Sequence, residues 1–222
     1  MEDKTIPLNN FEHLKKLCGN TLPQLEVALD RAERWMMQSA SLLNGASFFT
    51  SNRLSVAIAL QHLSMEHHQG IHVLVSQGVV GPALALLRPQ FETYVRGAWF
   101  HNCATEAQVE AFLKGGDPPG IGRLIDDLEK IEGFSCGTLG KLKKSAYRNF
   151  CDFTHGGAIQ VKARHSRDEV ISNYHPEQVI GILEASTALS LHAAVAIATA
   201  AEDAVLANQL FVKYEETCGR VG

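Results

Sequence analysis

Proline, cysteine pairs and aromatic side chains are scarce in this chain of 222 residues. Seven prolines leave long stretches free of the ring that breaks helices, and abundant Ala and Leu favour helix there. The five cysteines (Cys18, Cys103, Cys136, Cys151, Cys218) are odd in number, widely spaced and form no CxxC pair. Reduced thiols in a cytoplasmic protein are the expectation. The opening residues 1–7 lack a basic region followed by an apolar run, so no secretory signal is expected. No apolar run reaches the roughly 20 residues of a membrane span. An uncharged, Ala-rich apolar run, 185–201, has 17 residues and carries His192, Ser186, Ser190, Thr187 and Thr199. It predicts a closely packed core helix and no membrane partner. There is no Walker loop, no GxGxxG after a strand, no GxSxG and no HExxH.

What is present defines a class. With 45% hydrophobic residues the chain is not a disordered one. A net charge of −4 argues against a protein that coats nucleic acid indiscriminately. Helix punctuation recurs. A first helix is expected over 10–18, ended by Gly19. Thr21 and Pro23 open a second, with apolar spacing through Leu25, Ala28, Ala32, Trp35 and Met36 to about Gly45. Ser51 caps a third, which reaches about Gln77. Gly81-Pro82 opens a fourth, 83–104, with Pro89 inside it as a kink or break. Thr105 with Gln108 is a capping box for a short helix to Lys114.

The sequence Gly115-Gly116-Asp117-Pro118-Pro119-Gly120 is the clearest loop, a hinge or lid at 115–120. Helix returns over 121–131 and 138–154, and Gly156-Gly157 ends it. An extended stretch is expected over 158–165, within an irregular excursion near 156–175. Pro176 opens the last helical region, to about Glu216, with a break near Asn208. The pattern predicts an all-α fold, a single-domain bundle of long helices over 1–222.

The best chemical candidate is Arg148-Asn149-Phe150-Cys151-Asp152-Phe153-Thr154-His155. Seven helical residues turn about 700°, so Arg148 and His155 share a face, as does Asp152. A histidine at a helix end before two glycines is accessible and can act as general acid or base near neutral pH. A guanidinium two turns away can hold a phosphate or stabilise charge developing on it. The same residues also fit a plain helix end, with a cation near the C-terminus and an Arg148–Asp152 pair.

Charge is unevenly spread around this pair. Residues 141–167 carry Lys141, Lys143, Lys144, Arg148, Lys162, Arg164 and Arg167 against Asp152 alone, a net +6 that leaves −10 for the remainder. A local basic block on an acidic protein suits RNA phosphates, and equally a solvated face or an acidic partner protein.

Arg88, Glu92 and Arg96 recur every four residues in an otherwise apolar helix. Charges there are costly unless paired, so an Arg88–Glu92 or Glu92–Arg96 ion pair is expected, with a minor reading as a site wall facing the basic block. His62, Glu66, His67, His68 and His72 invite a metal reading. They lack the matching ligands on other helices that a bundle site needs, so no metal is expected. Tyr94, Trp99 and Phe100 read as core.

An arginine and a polar residue, followed by a histidine after four to six positions, resembles the motif of the HEPN superfamily. Arg148-Asn149 and His155 match it with six residues between arginine and histidine. The stretch Ala83-Leu84-Ala85-Leu86-Leu87-Arg88-Pro89-Gln90-Phe91-Glu92, continuing to Arg96 and Trp99, is similar to uncharacterised bacterial proteins of the DUF5677/DUF6988 type. The resemblance implies a dimerising helical bundle, related to metal-independent endoribonucleases of toxin–antitoxin and phage-defence systems and to RNA-binding relatives that have lost activity. It implies no cofactor, a homodimer, and RNA or an antitoxin-like protein as partner. In such a site His155 is the general acid/base and Arg148 stabilises the transition state. Asn149 orients a loop or phosphate, and Lys141, Lys144, Lys162, Arg164 and Arg167 contact the RNA backbone. The other expectation is a non-catalytic interaction or scaffold protein that docks an acidic partner.

Overall fold

The computed structural model describes residues 10–165 and 170–219. Its elements are α1 (Asn10–Cys18), α2 (Leu22–Leu43), α3 (Asn52–Ser76), α4 (Val80–Asn102), α5 (Glu106–Leu113), α6 (Ile121–Leu128), α7 (Thr138–His155), α8 (Ala158–Lys162), α9 (Pro176–Ala200) and α10 (Ala204–Cys218). No strand occurs among the described residues. An isolated bridge pairs His165 with Val170. The protein is an all-α bundle.

Local chemistry accounts for the helix ends. The Ser51 hydroxyl accepts the Leu54 N–H, and Thr105 with Gln108 closes a reciprocal capping box. Thr21 precedes α2 but does not cap it, because its hydroxyl donates to the Cys18 carbonyl at 2.7 Å. Pro89 neither breaks nor ends α4. The ring removes the donor that Ala85 O would receive. The Thr154 hydroxyl on α7 lies 3.3 Å from that carbonyl, while also 2.8 Å from Phe150 O in its own helix.

Other boundaries differ from expectation. Residues 158–162 are helical rather than extended. Gly156 turns the chain at φ 65°, and the Asp152 carboxylate then accepts the Ile159 N–H at 3.2 Å, which starts α8. The helix expected to reach residue 131 ends at Leu128. The last helical region breaks at 201–203 rather than near Asn208. Glu202 takes φ 56° there, and Asp203 caps α10 by accepting the Leu206 N–H at 2.8 Å.

The centre of the molecule is α3, α4 and α9 packed on one another. Helices α2 and α10 cover α9, while α6 and α7 pack on α4. Fully buried Trp35, Ile71, Phe91, Phe100, Leu183 and Leu191 fill the interior. Helix α9 is long and apolar enough to cross a membrane by length and composition, yet 56% of its most apolar window is buried inside the bundle.

A polar seam runs through this core. Gln90 Nε2 donates to Ser186 O at 2.8 Å, the Ser186 hydroxyl to Gln90 Oε1 at 2.7 Å, and His68 Nδ1 lies 2.9 Å from the same hydroxyl. Each pairing satisfies a group that would be costly to bury alone.

Candidate functional site

The surface where α7 crosses α4 collects the charged and titratable side chains. On α4, Arg88, Glu92 and Arg96 succeed one another by one helical turn each. Glu92 accepts from both arginines: Arg88 Nε lies 2.7 Å from Oε1 and Arg96 Nη2 lies 3.1 Å from Oε2. The Tyr147 hydroxyl on α7 donates to Glu92 Oε1 at 2.5 Å. The Arg88 guanidinium stands 5.4 Å from the centre of the Tyr147 ring. It also reaches the end of α7, where Nη1 is 2.6 Å from His155 Nε2. A guanidinium only donates, so in this contact the Nε2 lone pair accepts and the imidazole is the neutral Nδ1–H tautomer.

Opposing effects set the charges. Burial alone would raise the Glu92 carboxyl, but the Tyr147 hydroxyl, Arg88 and Arg96 together hold it below the ordinary carboxylate value. The hydrogen bond to Glu92 raises Arg88, against the pull of burial. Burial, then Glu92, push the Tyr147 phenol up to about 12. At neutral pH the cluster is a fixed carboxylate, two fixed guanidiniums, a protonated phenol and one exposed imidazole.

The residues expected to form the site are distributed differently from the sequence reading. His155 is exposed at the end of α7, but its partner is Arg88, 67 positions away, rather than Arg148. Arg148 and Asn149 are exposed, with no side-chain partner among the described residues. Asp152 is not paired with Arg148, because its carboxylate is engaged with the Ile159 N–H at the start of α8. Lys141, Lys144 and Lys162 are exposed. Arg164 is half-buried, stacked 5.6 Å from the centre of the Tyr174 ring, with its guanidinium against Gly81. Arg167 lies outside the described residues.

Tyr147 escaped the sequence reading, as did the union of Arg88 with His155. Arg88, Glu92 and Arg96 carried a signal, three charges at four-residue spacing on an apolar helix. Tyr147 carried none.

The histidines of α3 are separate from this surface. His68 is fully buried against Ser186, and His62 is 3.9 Å from Glu66 on the exposed side. Among the described residues, no group of three His, Cys, Asp or Glu side chains is placed to hold a metal ion. All five cysteines are free thiols.

Fold and site together define an all-α bundle protein with a polar cluster of two arginines, a glutamate, a tyrosine and a histidine where two helices cross. Residues 61–218, which include the whole cluster, match DUF6988, a family of unknown function. The chain belongs to that family. No curated protein and no solved structure matches it significantly.

Proposed function

We propose that the α4–α7 cluster is an RNA phosphodiester site of HEPN-like type, working without a metal. The observation that carries this reading is the Arg88–His155 contact at 2.6 Å, which sets a guanidinium beside an exposed imidazole. Arg88 therefore takes the role that the sequence motif offered to Arg148. A phosphate is a stronger acceptor for a guanidinium than a neutral imidazole. An arriving phosphodiester draws Arg88 away and frees His155 Nε2. That nitrogen takes the proton of the ribose 2′-hydroxyl, O2′ bonds to phosphorus, and the bond to O5′ breaks. The leaving O5′ takes a proton from water, and the product is a 2′,3′-cyclic phosphate. Arg88 stabilises the charge that develops on the phosphoryl oxygens. Arg148, Asn149, Lys144 and Lys162 border this surface as backbone contacts.

A second reading has its own support. Glu92 already pairs with both Arg88 and Arg96, leaving a net charge of +1, and such an ion cluster also suits a protein that binds its partner without reacting with it. One experiment separates the two. Purified protein is incubated with single-stranded RNA in chelator. The expected result is cleavage to cyclic-phosphate ends, reduced about 100-fold or more by His155→Ala and far less by Arg148→Ala. Undiminished cleavage by the His155 variant overturns the catalytic assignment. RNA binding without cleavage by the unmodified chain favours the second reading.

A further inference from the structure

We propose that a cavity on the other side of α4 binds a neutral, planar nitrogen heterocycle of purine size or smaller. This site is independent of the α4–α7 cluster. At about 100° per residue, Tyr94, Gly97 and His101 lie on the face of α4 roughly opposite Arg88, Glu92 and Arg96. The cavity of about 360 Å³ is walled by α3, α4, α9 and the turn after α6. That volume is at the lower end for small-molecule pockets and fits a single ring system.

Some of the polar side chains lining this space are bonded to their own helices, as Asn102 is to Ala98 O and Thr199 to Val195 O, whereas others have no partner among the described residues. Tyr94 is 7% exposed, and its hydroxyl makes no hydrogen bond among the described residues. Gln61 is 2% exposed. Its Nε2 donates to Tyr94 O at 3.1 Å, which fixes that wall of the cavity, while its Oε1 is enclosed behind the wall rather than open to the space. Half-buried His101 on α4 and His192 on α9, at the exposed mouth of the cavity, have no hydrogen-bond partner among the described residues. Buried phenols are seldom left unpaired in the absence of a ligand or water.

Ring stacking and charge narrow the class of ligand. The Tyr94 and His192 rings stand 6.0 Å apart, inclined at 40°, and Phe134 adds a third aromatic wall. Burial lowers both imidazoles, His192 by burial alone and His101 with Arg53 adding to it, which disfavours their cationic forms. Burial raises the Tyr94 phenol to about 12. Arg53 is itself engaged with Glu106 at 2.8 Å. No lysine or arginine lines the cavity, and the exposed Glu132 does, which disfavours a phosphate. The imidazoles and the phenol each offer donors or acceptors to a flat ring that bears both.

Adenine is the probe, titrated into the full chain while the imidazole NMR signals of His101 and His192 are followed. Saturable shifts of both are expected. Tyr94→Phe, which removes only an unpartnered hydroxyl, should weaken binding about fivefold to tenfold. Ala196→Phe should fill the cavity and abolish the response. The proposal is overturned by a non-saturable response, by adenosine monophosphate binding more tightly than adenine, or by unchanged affinity in Tyr94→Phe. RNA cleavage assays do not bear on it, since His155 is not part of this cavity.

Discussion

Glu92 is the only carboxylate of the α4–α7 cluster, and it serves Arg88, Arg96 and the Tyr147 hydroxyl together. Its side chain is only 15% exposed, so the two guanidiniums depend on it for their counter-charge. Replacement by an amide of the same shape keeps the packing and removes the charge. Glu92→Gln is expected to lower stability by about 1–3 kcal/mol in urea unfolding, and a loss near zero would show that solvent already screens the arginines.

His68 gives a second prediction at this scale. Burial, then His72, push its imidazole from 6.5 down to about 3, against the opposing pull of the Ala32 backbone. Its Nε2 makes no hydrogen bond of regular geometry. Between those two values the unfolded chain binds a proton that the native protein does not. Stability therefore falls as pH drops below about 6.5, by at most about 1.4 kcal/mol per pH unit for this side chain. Burial also lowers His67, His72, His101 and His192, and these add in the same sense. Unfolding measured at successive pH values should give a shallower slope for His68→Gln than for the unmodified chain. Equal slopes would remove His68 from the account.

At the scale of elements, α4 is the organising helix, and two glycines show how differently the same residue is used. Gly97 lets α3 approach, since a methyl group there would lie 2.6 Å from Gln61 Nε2 and 3.0 Å from Ala57 O. Gly97→Ala gains about 1 kcal/mol of helix propensity but overpacks a backbone contact. The net expectation is a loss of about 1–2 kcal/mol. Gly181 in α9 has nothing within 4 Å of the same position, so Gly181→Ala should stabilise by about 0.5–1 kcal/mol. Thermal unfolding of the two variants should shift in opposite directions.

The sequence displays those parts of the fold that local chemistry decides. Ser51 and the Thr105–Gln108 box mark helix starts because a cap needs only its own next three residues. Residues 158–162 look extended in sequence because Ile159 and Val161 favour strand locally, whereas the Asp152 carboxylate seven positions back supplies the cap of a helix. Asp203 was a legible cap, and polar Asn208 drew the break instead. For the site, the periodicity of Arg88, Glu92 and Arg96 revealed a paired helix face. No periodicity could show that α7 crosses it with Tyr147 and His155, because that contact follows from packing between distant segments.

On the scale of the whole molecule, the acidic average hides a division of labour among the cations. Arg88 and Arg96 are held by Glu92, and Arg164 is stacked on Tyr174. Lys144, Arg148 and Lys162 are exposed and have no partner among the described residues. If RNA binds this surface, as proposed, the exposed group supplies the salt-dependent affinity. Each phosphate contact contributes a slope of about −0.7 in log affinity against log salt for a single strand. Lys144→Gln and Arg148→Gln should therefore each weaken RNA binding in low salt and flatten that slope by about 0.7. Arg164→Gln should leave the slope unchanged and lower the unfolding temperature, because it removes a stacking contact rather than a phosphate contact. Anisotropy titrations of a labelled single strand between low and moderate salt read these slopes directly. Identical slopes in the Lys144 and Arg148 variants would place any bound RNA away from α7, and would detach His155 from the chemistry assigned to it.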